Sequence, residues 1–273
     1  MHKKISSKYL QSIKFIKSRL YADFFMPSRL GEFKRLLNSA LEHGYQTYTI
    51  SQFWKETKHG KINIPGKCLI LRHDIDTDLS TAKRMWEIEH SLSIKSTFFF
   101  RLSTFNVRLM KLIENNGGEA SYHYEELATF CKKHHIKSTQ EVKERLHEIR
   151  DQFKMNIMRL RELSGLPLQI VASHGDFVNR KLCIPNQIIL KDKDFRKDVN
   201  INLEAYDESA NRLIESRHSD KPFPQFWAPV APIQAIENHI GVIYVLIHPR
   251  QWRASIITNL KDNLKRLYEQ LKY

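Results

Sequence analysis

Short apolar runs alternate along most of the chain with longer segments in which apolar residues recur every three or four positions. Runs of the first kind are typical of buried strands, and segments of the second kind are typical of amphipathic helices. The predicted strands read CLILR, KSTFFFRL, EASYHY, LQIVASHGDF and GVIYVLIHP. Helical patterns such as DLSTAKRMWEIEHSL and NVRLMKLIENN lie between them. This alternation predicts an α/β fold in which helices cover a mostly parallel sheet or barrel.

The longest helical pattern covers residues 139–165, and core packing alone explains its apolar stripe. The stripe consists of Val142, Leu146, Ile149, Phe153, Ile157, Leu160 and Leu163. Residues 58–67 are rich in turn formers and are predicted to form a loop. A helical extension is predicted for residues 1–30. Residues 31–273 are predicted to form a single domain, which an amphipathic helix closes at residues 254–273.

Polar side chains stand at the carboxyl ends of four predicted strands, where the chemistry of parallel α/β folds collects. The residues concerned are His73, Asp74, Asp76, His123, His174, Asp176 and His248. Four separate endings of this kind are hard to explain by packing. Imidazole and carboxylate groups together favour a divalent metal and proton transfer. The sequence has no glycine-rich phosphate loop, which argues against a nucleotide site.

Asp74 and Asp76 lie two positions apart, so an extended chain points both carboxylates to the same face. One carboxylate could then bind a metal while the other acts as a base. The structural alternative is a helix N-cap. We favour the N-cap for Asp78, because a helix begins near Leu79.

His123 and His174 each have a structural alternative as well, and His248 is assigned a role in proton transfer. His123 lies between two tyrosines and is either a metal ligand or a satisfied core side chain. His174 is followed by a glycine that permits a tight turn, with Asp176 as its cap. His248 precedes Pro249, which fixes the strand exit and suits a general acid. Five further histidines are expected at the surface, namely His134, His135, His147, His218 and His239.

The formal net charge is +14, from 44 Lys and Arg against 30 Asp and Glu. Such a charge suits nucleic acid, an anionic membrane or an acidic substrate. The basic residues are spread along the chain without any nucleic-acid-binding signature. We therefore expect a solvated surface, no specific nucleic acid and at most peripheral contact with an anionic membrane surface.

The three cysteines show no C-x-x-C spacing. This favours a reducing, cytoplasmic location and argues against a thiolate zinc site. Any contact with a membrane is then expected at its inner face. The N-terminus lacks an apolar region and a cleavage site, so no secretory signal is expected.

Five segments, in order along the chain, resemble the polysaccharide deacetylases, the family 4 carbohydrate esterases. They are LRHDIDTD, STFFFRLSTFN, GGEASYHYEEL, SHGD and LIHP, within roughly residues 30–255. The first segment is more similar to a divergent branch with an RHD-x-D motif, which is associated with bacterial surface-polysaccharide gene clusters. The resemblance implies a distorted (β/α) barrel of about seven parallel strands. It also implies one divalent metal, zinc first and cobalt or nickel as alternatives.

By the same resemblance, Asp74 is the catalytic base and His248 is the general acid. Asp76 and His123 are metal ligands. The family pattern fails at its second metal histidine, because Leu127 stands four positions after His123. The arginine usual in the third motif is also missing, since SHGD stands there.

The third metal ligand is therefore open. His174 is the first choice, because imidazole suits a borderline metal better than a flexible carboxylate does. Glu125 is the second choice and Glu126 a further one. Otherwise the metal is weakly held or activity is lost. The residues predicted to contact substrate are Arg72, His73, Tyr124, Glu125 and Asp176.

The leading functional hypothesis is a metal-dependent hydrolase that removes an N-acyl group, acetyl first, from an amino sugar or polysaccharide precursor. The alternative is a deacetylase-fold protein with impaired catalysis that binds glycans or assists their assembly. A nucleic-acid binder is a third and weaker hypothesis, which only the net charge suggests.

Overall fold

One sheet of nine strands organises the part of the chain that the computed structural model describes, which is residue 14, residues 16–57 and residues 66–273. The strands are β1 (Gln46–Tyr48), β2 (Cys68–Ile75), β3 (Thr97–Phe100), β4 (Glu119–Tyr124), β5 (Ile170–Ser173), β6 (Leu203–Glu204), β7 (Ser216–Asp220), β8 (Trp227–Ala228) and β9 (Val242–Ile247).

The strands follow the order β6-β5-β4-β3-β2-β9-β7-β8, and β1 pairs with β2 outside this path. Every pair is parallel except β7 with β8. Gln46 of β1 lies opposite Cys68, whereas Thr97 of β3 lies opposite Arg72. The two strands thus pair with successive halves of β2. All eight residues of β2 are buried, as its apolar run predicts for a central strand.

Helices connect the strands and cover the sheet. The α-helices with bounds inside the described residues are α1 (Leu30–Glu42), α2 (Ile50–Thr57), α3 (Leu79–Ser91), α4 (Val107–Asn115), α5 (Glu126–His134), α6 (Thr139–Glu144), α7 (Leu146–Ser164), α8 (Phe177–Leu182), α9 (Lys193–Asp198), α10 (Glu208–Asn211), α11 (Pro232–Glu237) and α12 (Ile256–Lys272). A π-helical turn spans Tyr21–Phe25, and 3-10 turns span Asn186–Leu190 and Pro249–Gln251.

The helix ends agree with the sequence signals in one case and depart from them in another. The carboxylate of Asp78 accepts a hydrogen bond from the backbone N–H of Thr81 at 3.0 Å, so Asp78 caps α3 as expected. The single helix predicted for residues 139–165 is two helices, α6 and α7, which meet at Arg145. Leu163 is 54% exposed and does not belong to the buried stripe, so that part of the prediction is wrong.

The sheet curls around a common interior. Its apolar side chains include Cys68, Ile70, Phe99, Ile170, Ala172, Leu203 and Tyr244, from strands on both sides of β2. Arg72 of β2 contacts Tyr206, just after β6, at 3.3 Å and Tyr244 of β9 at 3.4 Å. The predicted α/β class with a mostly parallel sheet is confirmed. The described part of the chain forms nine strands where the resemblance implies about seven, and two of the nine, β6 and β8, have only two residues each.

The N-terminal segment packs on the C-terminal helix. Residues 16–20 are helical and continue into the π-helical turn. Within that turn, the carboxylate of Asp23 accepts hydrogen bonds from Arg250 at 3.1 Å and from Asn263 at 2.8 Å. None of the described helices is long and apolar enough to cross a bilayer.

Two sequence predictions fall largely outside the described residues. Residues 1–13 and 15 belong to the predicted helical extension, including Ile5, Tyr9 and Ile13. Residues 58–65 make up most of the predicted loop. The domain boundary at residue 30 stays a prediction.

Candidate metal and acid–base site

Four polar side chains predicted from separate segments converge at the carboxyl edge of the sheet. Asp74 is the last residue but one of β2, and Asp76 directly follows that strand. His123 occupies the corresponding position in β4, and His174 directly follows β5. They converge because these strands are parallel and end at the same edge.

Asp76, His123 and His174 form a tight cluster. Oδ1 of Asp76 lies 3.6 Å from Nε2 of His123 and 3.4 Å from Nε2 of His174. The two imidazole rings are nearly perpendicular, with their centroids 5.2 Å apart. One ligand atom from each of the three residues lies within 4.8 Å of the others, a spacing that one ion can bridge.

Hydrogen bonding and burial prepare both histidines to act as ligands. Nδ1 of His123 donates to the carbonyl oxygen of Ala172 at 2.9 Å, which leaves the lone pair of Nε2 free to face the carboxylates. Burial lowers the pKa of His123 more than Asp74 and Asp76 raise it. Burial likewise lowers the pKa of His174 to about 4. Both rings are therefore neutral at neutral pH, which is the form that binds a metal.

Two buried polar atoms of this cluster have no hydrogen-bond partner among the described residues. They are Oδ1 of Asp76 and Nδ1 of His174. Burial raises the pKa of Asp76, but the nearby histidines and Arg101 outweigh burial and lower it, so this carboxylate is ionised. A buried carboxylate oxygen without a partner is unfavourable unless a cation satisfies it. One carboxylate and two imidazoles are a donor set that fits a divalent metal.

A second possible ligand group shares His174 but is engaged in other contacts. It adds Glu125 and Asp176. Arg101 donates to both oxygens of Glu125, the bond from Nε being 3.0 Å long. Asp176 caps α8 and accepts from Lys132 at 3.0 Å. Glu125 also lies 3.6 Å from Nδ1 of His174, so it is placed to orient that ring and not to complete the triad.

Asp74 lies beside the triad and is held by Arg72. Nε and Nη2 of Arg72 donate to the two carboxylate oxygens at 2.7 and 2.8 Å. Oδ2 of Asp74 lies 3.4 Å from Nε2 of His123. Burial raises the pKa of Asp74, but the charge of Arg72 outweighs burial and lowers it. Arg72 is 1% exposed and positions Asp74, and its contact with substrate stays a prediction.

His248 is held by a carboxylate that the sequence reading missed. Asp220, the last residue of β7, accepts from Nδ1 of His248 at 2.6 Å and from its backbone N–H at 2.7 Å. Trp252 donates to the same carboxylate at 2.9 Å. Burial lowers the pKa of His248, but Asp220 and the carboxylates of the site raise it to about 9. The ring is therefore an imidazolium at neutral pH, and its side chain is 27% exposed.

Two predicted substrate contacts point away from the site. His73 lies on the opposite face of β2, where its Nε2 is 2.6 Å from Glu89 and its ring stacks on Phe98. Tyr124 packs in the outer core, with its hydroxyl 3.4 Å from Glu204. Both predictions are wrong because neighbouring residues of a strand face opposite sides. Each of these side chains adjoins in sequence a residue that faces the interior.

Glu126 and Leu127 also lie outside the site. Glu126 accepts hydrogen bonds from Tyr122 and, at 2.9 Å, from Asn156, which rules it out as a metal ligand. Leu127 is fully buried among apolar side chains of the outer core. The position four residues after His123 is thus filled by core packing.

Three supporting residues escaped the sequence reading. Arg101, Asp220 and Trp252 were not singled out, although Arg101 follows β3 and Asp220 ends β7. Strand-end position predicts a site role for Arg101. It could not do so for Asp220, because β7 reads SRHSD and lacks the apolar run that would predict a strand. His218, expected at the surface, is 3% exposed within this same strand.

A cavity of about 360 Å³ opens beside the cluster. Asp76, His174 and Asp176 line its sheet side, so Asp176 is the one predicted substrate contact that faces it. Helix α12 contributes the opposite part of the lining, including Ile257 and Lys261. The cavity gives a small polar substrate a route to the triad.

Comparisons with known proteins assign no family to the chain. No family model matches it, and no curated protein matches it. Among solved structures, it is similar to a mutant of a CE4 family pseudoenzyme with restored enzymatic activity, at 17% identity and a TM-score of 0.42, over 76% of this chain and 65% of that chain. The wild-type CE4 family pseudoenzyme from Bacillus anthracis gives 18% identity and a TM-score of 0.40, over 76% and 63%.

A third solved structure is the Xyl-CE4 domain of a multidomain xylanase from the hindgut metagenome of Trinervitermes trinervoides. It shows 12% identity and a TM-score of 0.37, over 74% of this chain and 84% of that chain. The chain spans a little under two thirds of the first two of these proteins, 65% and 63%. At such identities and scores, a likeness assigns no activity to this chain.

Proposed function

We propose that the chain is a metal-dependent hydrolase that removes an N-acyl group, most simply acetyl, from an amino sugar used in surface-polysaccharide biosynthesis. The observation that carries the proposal is the convergence of a ligand triad, an ionised carboxylate and an imidazolium at one edge of the sheet. Amide hydrolysis needs an activated water, a stabilised oxyanion and a protonated leaving amine. These groups match those needs.

Asp76, His123 and His174 are the residues that would hold the metal. A divalent ion bound there would polarise the amide carbonyl and lower the pKa of a water molecule. Zinc suits two imidazoles and a carboxylate, and cobalt or nickel are alternatives. The hydrogen bond from His123 to Ala172 fixes the orientation of one ligand ring.

Asp74 is the candidate base. Its carboxylate is ionised and lies beside the triad, 3.4 Å from Nε2 of His123. It would accept a proton from the attacking water as the water oxygen bonds to the carbonyl carbon. Arg72 binds both carboxylate oxygens, which fixes the orientation of the base and reduces its basicity.

His248 is the candidate acid. As an imidazolium, it would donate a proton to the amide nitrogen while the C–N bond breaks, so that the amine leaves in neutral form. An amine is a poor leaving group without that proton. Asp220 binds Nδ1 of the ring and so leaves Nε2 to deliver the proton.

Acetate release tests this proposal directly. Metal-free protein would be given zinc, cobalt or nickel together with N-acetylated amino sugars, both free and lipid-linked. We expect turnover that requires the metal and is lost in Asp76→Asn, because a neutral amide is a poorer ligand than a carboxylate. No turnover on any of these substrates, with stoichiometric metal bound, would refute the hydrolase.

One contact favours the second candidate, a metal-binding protein that holds glycans without cleaving them. Arg72 occupies both oxygens of Asp74 and lowers its pKa, which weakens the proposed base. Glycan binding by the metal-loaded protein, measured calorimetrically without any acetate release, would support this candidate.

A further inference from the structure

Helix α12 turns its apolar side chains toward solvent. Seven of them are between 48% and 79% exposed, and we call them the α12 face: Ile256, Ile257, Leu260, Leu264, Leu267, Tyr268 and Leu271. Their spacing places them on one side of the helix. An ordinary surface helix buries this side against the core and exposes its polar side. In α12 the two sides are exchanged.

The side of α12 that faces the rest of the protein is polar. Asn259 is fully buried and donates to the carbonyl oxygen of Asp23 at 2.8 Å. Asn263 donates to the carboxylate of Asp23 at 2.8 Å, and Asp262 pairs with Arg250. The helix is therefore anchored by hydrogen bonds and ion pairs, and its apolar side stays available to another surface.

Positive charge accompanies the α12 face. Lys261, Lys265 and Lys272 are exposed and, by helical rotation, lie beside the apolar side chains. The two acidic residues of the helix, Asp262 and Glu269, pair with Arg250 and Lys132 of the protein body. The first 20 residues of the chain contain six Lys and Arg and no Asp or Glu. Exposed lysines thus border the α12 face, and both acidic residues of the helix are already paired.

We propose that the α12 face docks on a membrane surface that carries anionic lipids. Its apolar side chains would enter the boundary between headgroups and acyl chains, and the flanking lysines would contact the lipid phosphates. A second copy of the chain fits less well. In a symmetrical pair the lysines would approach their own copies, with no unpaired acidic residue on the helix to meet them.

The docking also indicates a substrate class for the proposed hydrolase, an inference that rests on the proposed function. Helix α12 lines the cavity beside the triad with Thr258, Lys261 and Lys265, while Asp76 and His174 line its other side. A membrane against the α12 face would therefore lie close to the mouth of that cavity. The substrate class that fits is an N-acylated sugar carried on a lipid, which would enter the cavity from the membrane surface.

Vesicle flotation of the full-length protein tests the docking. The probes are vesicles of phosphatidylcholine alone and vesicles that also contain phosphatidylglycerol. We expect flotation only with the anionic vesicles, and weaker flotation at high salt. In Leu264→Glu/Leu267→Glu the floated fraction should fall by at least about tenfold, because two apolar anchors become anions.

The matched control is Leu163→Glu on α7. Leu163 and Leu267 are both leucines in helices, and each is 54% exposed. The control should float like the wild type. Equal flotation of the double α12 variant and the wild type would overturn the proposal, because another surface, such as residues 1–13, would then bind the lipid.

Two further outcomes would overturn it. One is the absence of flotation with anionic vesicles. The other is a dimer in light scattering that Leu267→Glu dissociates, since a second copy would then cover the face. Flotation does not depend on catalysis, so Asp76→Asn should float normally. Flotation without acetate release would therefore count against the hydrolase alone, and acetate release without flotation against the docking alone.

Discussion

Two ion pairs flank the candidate metal site, and they shift the pKa of their functional groups in opposite directions. On β2, Arg72 lowers the pKa of Asp74. Beside β9, Asp220 raises the pKa of His248 to about 9. At neutral pH the first pair offers a carboxylate without its proton and the second an imidazole with an extra one. Opposite shifts of this kind are how one site provides a base and an acid together.

The two pairs also differ in their access to water. Asp74 is 3% exposed, whereas the side chain of His248 is 27% exposed. The buried base is fixed at two oxygens by a guanidinium, and the acid can regain its proton from solvent after each turnover. The difference explains why a rigid pair holds the base and a partly open one holds the acid. It also predicts unequal effects when either half is removed.

Asp74→Asn should cause the largest loss. The amide fills the same space but cannot take the proton, so kcat should fall by about a thousandfold while the metal stays bound. Steady-state rates and the metal content of the purified variant check both parts. If the variant loses its metal as well, Asp74 is a ligand, and the division of roles between Asp74 and Asp76 is wrong.

His248→Gln should cost about a hundredfold in kcat, less than the loss of the base, because water can supply the proton in part. In the wild type, kcat/KM should decline as pH rises through about 9, since the imidazolium then loses its proton. The variant should lack this alkaline decline. A pH–rate profile with the same decline in both proteins would show that another group is the acid.

The ion pair between His248 and Asp220 should also make the stability of the metal-free protein depend on pH. The folded-state pKa of His248 is about 9, above its ordinary value of 6.5. Its contribution is therefore complete below the lower value and is lost as pH rises through the upper one. The wild-type advantage over His248→Gln in urea unfolding should shrink by about 3 kcal/mol over this window. A constant difference across pH would show that the folded-state pKa of His248 is not raised.

Substitutions of His174 and Glu125 test which of the two residues is the third metal ligand beside Asp76 and His123. His174→Ala should weaken metal affinity at least about tenfold, as loss of a ligand ring requires. Glu125→Gln is the matched comparison, because it keeps the shape of a residue that orients His174 and one of the two oxygens that accept from Arg101. Chelator-buffered titration measures both. If Glu125→Gln weakens binding more than His174→Ala does, the ligands are Asp76, His123 and Glu125.

Much of the site could be predicted from sequence because its residues follow strands with strong apolar runs. The apolar runs CLILR and IVAS predict β2 and β5, so the polar residues after them could be placed at one edge of the sheet. The predictions for His73 and Tyr124 are wrong, because position at a strand end does not decide which face of the sheet a side chain occupies.

The supporting residues could not be found in this way. Asp220 ends a strand whose sequence, SRHSD, has no apolar run, although this strand pairs with both β8 and β9. The pairing of Arg72 with Asp74 depends on side-chain conformations that no spacing rule fixes. The exposure of the α12 face was hidden for a similar reason. Periodicity shows that a helix is amphipathic but not which side is attached.

Arg72→Lys should have the smallest effect. It tests most directly the contrast between the Arg72–Asp74 pair and the Asp220–His248 pair. Lysine keeps the positive charge but cannot bind both oxygens of Asp74. The pKa of Asp74 should therefore rise, and the acidic decline of the pH–rate profile should move to higher pH. At neutral pH the stronger base and its looser orientation oppose each other, so kcat should change by less than about tenfold. Metal affinity and the alkaline decline set by His248 should stay as in the wild type. An unmoved acidic decline would mean that Arg72 positions Asp74 without setting its pKa.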